Sequence, residues 1–145
     1  MARVSPYLNF ARSTEGAFLF YKSVFGTDFI GPIGRWRDMP PDPATAPLPD
    51  ADLDLVIHVE LPILGGHVLM GTDAPSSAGF SVTPGNNVHI LLEPETRAET
   101  DRLFAALAEG GQVEMPLQEM FWGGYYGSLA DRFGVRWMFN CAEQH

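Results

Sequence analysis

Residues 96–111 read TRAETDRLFAALAEGG, and this stretch decides the fold. Leu103, Phe104 and Leu107 recur at helical spacing, so one face of the segment is apolar. Thr96 and Glu99 form a capping box in which each satisfies a free donor at the helix start. Gly110 and Gly111 end it, because glycine tolerates the left-handed exit. Residues 13–26, STEGAFLFYKSVFG, repeat the design. Ala17, Phe18, Phe20, Tyr21, Val24 and Phe25 give the stripe, Ser13 or Thr14 the cap and Gly26 the stop.

The two helices organise what flanks them. Six segments read as strands: PYLNF (6–10), LDLVIHVEL (53–61), HVLMGTD (67–73), NVHILLE (87–93), QVEMPL (112–117) and RWMFN (136–140). Each half runs strand, helix ending in glycine, then further strands, and Phe20 matches Phe104 at an offset of 84 positions. Half-modules at about 1–75 and 86–145 make up one domain over 1–145. Neither half covers both faces of a small sheet alone. The fold expected is α+β: two βαβββ modules forming a curved mixed sheet with helices outside and an inner face for a ligand.

Two loops interrupt this order. RWRDMPPDPATAPLPDADLD (35–54) holds five prolines and reads as surface loop, and TDAPSSAGFSVTPGNN (72–87) links the halves. In LPILGGHVLM (61–70), Gly65 and Gly66 supply a hairpin turn. That turn sets Leu61 opposite Met70, so His58 and Glu60 point to the other face; a slip of one residue reverses them.

Composition narrows the function classes. Eighteen acidic against nine basic residues give a net charge of −9, which disfavours nucleic acid and anionic membrane as partners. The single cysteine, Cys141, excludes an internal disulfide and fits a reducing, cytoplasmic setting. The N-terminus has no long apolar core, and no stretch has membrane-spanning length. No strand–GxGxxG–helix or GxxxxGK[ST] pattern occurs, which leaves nucleotide binding and a methyltransferase assignment without support.

PYLNF, EGAFLFYKSVFG, VLMGTDAP and above all MPLQEMFWGGYYGSLADRFGVRWMFN (115–140) resemble the vicinal-oxygen-chelate superfamily of glyoxalases, ring-cleaving dioxygenases and bleomycin-resistance proteins, in its PhnB-like branch. The resemblance spans nearly the whole chain. It implies a small-molecule-binding protein, with a homodimer as the expected assembly. In metal-dependent members the first and last strand of each half carry the ligands. Those places hold Pro6 or Tyr7, Met70 or Leu69, His89, and Met138. One imidazole with thioethers does not make a zinc or iron centre. The expectation is therefore no cofactor, with a divalent metal as the alternative.

The ligand cavity is expected to be lined by Tyr7, Asn9, Met70, His89, Trp122 and Met138. His89 reads as a hydrogen-bonded cavity residue, with general base as its sharper alternative. Two rival readings stand beside the binding protein. One is a metal-dependent lyase, isomerase or dioxygenase using His89 with His58, Glu60 or Glu119. The other is a dimeric interaction module without ligand. Glu119 is a candidate acid or an exposed loop carboxylate. Trp36 is a candidate lid or an exposed aromatic. His67, after the turn, is expected in solvent.

Overall fold

The computed structural model describes residues 1–144; His145, where the second half-module was expected to end, lies outside them. The chain divides into two compact units, Met1–Thr83 and Pro84–His145. Each is one four-stranded mixed sheet with one helix.

The first unit runs β1 (Tyr7–Phe10), α1 (Thr14–Phe25), β2 (Gly34–Arg35), β3 (Val56–Pro62) and β4 (Val68–Asp73). Its sheet order is β1-β4-β3-β2, with β1 parallel to β4 and the other pairs antiparallel. Phe18 of α1 sits so close to Gly71 that a Cβ there would lie 2.5 Å from its ring. That contact fixes which sheet face the helix covers. Val59, Leu61 and Leu69 are buried with Ala17, Phe18, Tyr21 and Val24. Successive side chains alternate across a strand, so Met70 and Thr72 point away from α1.

The expected cap of α1 needs correction. Ser13 sits at the N-cap position but makes no side-chain cap hydrogen bond. The acceptor is Asp73 of β4, whose Oδ1 takes bonds from the Thr14 amide at 3.0 Å and the Thr14 hydroxyl at 2.8 Å. Its Oδ2 takes the Val56 amide at 2.9 Å. A single buried carboxylate thus joins α1, β3 and β4. Gly26 ends the helix as expected, in the left-handed region at φ 65°.

The second unit runs β5 (Ile90–Leu92), α2 (Arg97–Ala108), β6 (Gln112–Glu119), β7 (Tyr125–Ala130) and β8 (Arg136–Cys141). Its order is β5-β8-β7-β6, with β5 parallel to β8. Phe104 meets Phe139 edge to face at 5.4 Å, so Phe139 faces α2 and Met138 faces away. Trp137, Leu129, Leu103 and Leu107 complete the core. Asp131 plays a part like that of Asp73, accepting from the Phe133 and Val135 amides and from Trp137 Nε1.

Only half of the expected capping box forms. Thr96 accepts from the Glu99 amide at 3.1 Å, while the Glu99 carboxylate turns to Arg102 instead. Phe104 is buried on α2 whereas Phe20 is only partly buried on α1, so the expected Phe20–Phe104 match does not carry over to the helix faces. Strand β7, in the interior of its sheet, was not anticipated from the sequence, and neither was the two-residue β2.

Candidate functional site

The β3–β4 hairpin decides which polar groups share a face. Three residues, Leu64, Gly65 and Gly66, lie between Ile63 and His67, whose backbones bond at 2.7 Å. The odd count shifts the register by one from the expected two-residue turn. Glu60 therefore stands opposite Met70, and Leu61 opposite Leu69. His58 and Glu60 share the face of Met70, which corrects the expectation that they point the other way. His67 is exposed, as expected.

On this helix-free face of the first unit, Tyr7 pairs with Met70 across β1 and β4, and Asn9 with Thr72. The Tyr7 hydroxyl reaches across β4 to His58 Nδ1 at 2.9 Å. The other ring nitrogen, Nε2, lies 3.4 Å from Glu60 Oε2, and Arg3 approaches Glu60 Oε1 at 3.5 Å. Burial, and then the charge of Glu60, raise the pKa of the Tyr7 phenol. The direction of the Tyr7–His58 bond follows the imidazole tautomer, since a protonated phenol donates to a bare Nδ1 and accepts from a protonated one.

The second unit holds a matching cluster. His89, immediately before β5, meets Glu114 at 2.9 Å through Nε2. Arg136 of β8 bonds the other oxygen of Glu114 and also the Gly85 carbonyl. The hydrogen bond from His89, with that of Arg136 behind it, holds the Glu114 carboxyl below the usual glutamate range. Sequence reasoning missed Glu114 and Arg136. The register shifts between Val113 and Met115, so simple alternation does not give the orientation of Glu114. Leu91, rather than His89, is the direct neighbour of Met138. Trp122 lies beyond β6, with Nε1 3.4 Å from Asn140 Oδ1 and its ring edge-on to Tyr126 at 5.9 Å.

Glu119 belongs elsewhere. It is opposite Tyr125, whose hydroxyl donates to Asp101 of α2 at 2.6 Å, and it pairs with Arg97 at 2.9 Å. It lines a shallow cavity of about 540 Å³ on the helix side with Arg97, Asp101 and Glu143. It does not join His89. Trp36 is half-buried, not a bare exposed aromatic. It donates from Nε1 to the Asp73 carbonyl at 3.1 Å and contacts Phe80, pinning the proline-rich loop.

Of the positions where the resemblance puts metal ligands, the first unit thus holds a phenol engaged with His58 and a thioether, and the second a thioether and, just before β5, an imidazole engaged with Glu114. That donor set does not fit a zinc, nickel or iron centre. Among the described residues, no group of three or more His, Cys, Asp or Glu side chains is placed to hold a metal ion. No helix among them is long and apolar enough to cross a membrane.

Two βαβββ units, each with one helix-covered and one open sheet face, define the glyoxalase/bleomycin-resistance class of fold. The model of the Glyoxalase/Bleomycin resistance protein/Dioxygenase superfamily matches residues 4–139, and the chain belongs to that superfamily. It is similar to protein PA1353 from Pseudomonas aeruginosa, 34% identical over 100% of both chains with a TM-score of 0.84. A Bacillus cereus protein described as a putative 3-demethylubiquinone-9 3-methyltransferase, PhnB protein, is 27% identical. That match covers 97% of this chain and 100% of that one, with a TM-score of 0.73. Protein YjdN of Escherichia coli (strain K12) is 29% identical over 97% of this chain and 96% of its own length. Members of the superfamily commonly form dimers that bind small molecules, and often bind metal.

Proposed function

We propose that this chain is a PhnB-like small-molecule-binding protein that uses the helix-free faces of its two sheets and carries no full metal site. One observation carries the reading: each unit packs its aliphatic side chains against its helix and keeps a mixed apolar and polar set on the open face. In the first unit these are Tyr7, Asn9 and Met70 with His58. In the second, Met138 lies on that face, and we place His89 and Trp122 there with it. Methionine adapts to irregular ligand shapes, and the few polar groups orient what binds. The whole of 1–145 acts as one domain in this reading, in the cytoplasm and as a homodimer.

The methyltransferase description of the Bacillus cereus relative is not adopted, because this sequence has no glycine-rich strand-to-helix turn for a nucleotide-like cofactor. The two His–Glu contacts favour a second reading, acid–base catalysis without metal. Thermal melting against a panel of small planar aromatic compounds tests the binding reading, since only a molecule that prefers the native state raises stability. A hit is expected to raise the melting temperature by about 3 °C or more. Met70→Ala and Trp122→Ala should each reduce that rise. A panel with no effect at millimolar concentration counts against the proposal.

A further inference from the structure

We propose that Tyr7, His58 and Glu60 form a proton-transfer chain on the helix-free face of the first unit, and that it takes the proton of a weakly acidic aromatic hydroxyl, a phenol, seated against Met70. The inference rests on the binding reading above and adds a reaction step to it.

The register builds the chain. Met70 has Tyr7 as its partner on one side and Glu60 on the other. His58, two residues before Glu60 on the same strand, spans the gap between the phenol and the carboxylate. Its ring lies 5.7 Å from that of Tyr7, tilted by 33°. The order of groups is directional. Proton transfer along it requires the tautomer with the imidazole proton on Nε2, the side of Glu60 at 3.4 Å, so that Tyr7 donates to Nδ1. A carboxylate behind an imidazole fixes its tautomer and stabilises the imidazolium that forms.

Tyr7 is 45% exposed, and its oxygen keeps a lone pair after donating to His58. That lone pair is the point of contact for a ligand hydroxyl. Transfer balances without any co-reactant. The ligand O–H bond breaks and leaves its electron pair on the ligand oxygen. A new O–H bond forms on Tyr7, the original Tyr7 proton moves to Nδ1, and both imidazole nitrogens keep their protons while the Glu60 carboxylate, 3.4 Å from Nε2, balances the imidazolium charge as an ion pair. Tyr7 then donates to the phenolate. Met70 supplies an adaptable apolar surface for the ring that carries this hydroxyl. Arg3, 3.5 Å from Glu60, is the further charge at the far end of the chain.

The probe is 4-nitrophenol, whose phenolate is yellow, at a pH below its own pKa. Binding is read by the melting-temperature rise, and proton transfer by the phenolate band. The wild-type protein is expected to do both, raising the ionisation constant of bound probe about tenfold, the size of one charge-assisted hydrogen bond. Tyr7→Phe and His58→Gln should both lose the phenolate band, and Tyr7→Phe, which removes the contact with the ligand hydroxyl, should also reduce the melting rise. A melting rise with no band in wild type overturns the chain but leaves the binding reading standing. No melting rise with 4-nitrophenol overturns the chain, and the binding reading falls only if the wider aromatic panel also has no effect. Nitrogen NMR of the free protein provides a check without variants: a His58 proton on Nδ1 in place of Nε2 would also overturn the chain.

Discussion

Glu60 and Met70 face each other across the β3–β4 hairpin, and this pairing puts Leu61 against the core side of the sheet. Leu61 is fully buried, whereas the Glu60 side chain is a quarter exposed. Leu61→Ala is expected to cost about 3 kcal/mol, the usual range for a buried leucine that leaves a cavity. Glu60→Ala should cost about 0.5 kcal/mol or less, as a partly exposed ion pair does. Chemical denaturation of the two variants measures both. Equal losses would be incompatible with this register.

Asp73 is a sharper stability test. Three donors from two separate segments converge on its carboxylate, and it is buried. Asp73→Ala strands the Thr14 amide at the start of α1 and the Val56 amide in β3. The expected loss is about 3 kcal/mol, above that of an ordinary helix cap because buried donors are left unpaired. Ser13→Ala, at the nominal cap position, should change stability by less than about 0.5 kcal/mol. Urea unfolding of the pair would separate the two caps, and a larger loss in the serine variant would contradict the assignment.

Much of this fold was legible because helix periodicity and glycine stops are local signals. Both helices were placed within a residue or two, and every strand read from the sequence exists. What failed depends on the partner strand. The turn residues Gly65 and Gly66 were recognised, but the length of the loop was not, and a one-residue difference moved His58 and Glu60 to the other face. The strand Tyr125–Ala130 is hard to read from the sequence because Gly127 interrupts its pattern. Gly127 is demanded by packing, since a Cβ there would lie 3.0 Å from Leu117 and the Met115 carbonyl. The sequence singles out His89 but not Glu114 and Arg136, which join it across a register shift in β6 that alternation does not reveal.

The His89–Glu114 contact has a pH signature. The Glu114 carboxyl is held below its ordinary range by the His89 hydrogen bond first, and then by Arg136. A carboxyl depressed in the folded state stabilises the fold at pH above its unfolded value, roughly 4.3, and that contribution disappears as the pH falls through the lower folded value. Glu114→Gln should therefore melt below wild type at neutral pH, with the difference closing under acid conditions below about pH 4. Melting curves of both proteins over that range test it. A constant difference at every pH would show that Glu114 acts through packing alone.

The open face of the first unit carries an imidazole and a carboxylate, His58 and Glu60, beside the thioether of Met70. Wild-type protein is expected to hold substoichiometric divalent metal and to melt unchanged after chelation, because methionine stands where a harder ligand is needed. Met70→His would add an imidazole beside Glu60, with His58 on the same face. This variant should gain zinc or nickel binding and melt about 3 °C or more higher with metal. Metal titration followed by melting provides the measurement. Near one equivalent of metal in the wild type, or no gain in the variant, would contradict the donor geometry.

The last expectation concerns assembly. Phe121 is almost wholly exposed and packs edge to face on the half-exposed Trp122 at 5.0 Å. Val113 and Met115 on the edge strand β6 are exposed as well. Exposed aromatics grouped in this way mark contact surfaces more often than bare solvent sites. Pro116 interrupts β6 as a donor, so pairing by simple extension of the sheet is disfavoured and side chains must make the contact. A self-complementary two-fold arrangement is the commonest solution for a single chain. Light scattering at micromolar concentration should give about twice the chain mass, and Phe121→Ser with Trp122→Ser should give the monomer with unchanged secondary structure. Because both residues lie outside the two helix-covered cores, loss of the dimer without loss of fold is the expected pattern. A wild-type mass equal to one chain would end the dimer proposal, and a double variant that remains dimeric would move the interface away from this turn.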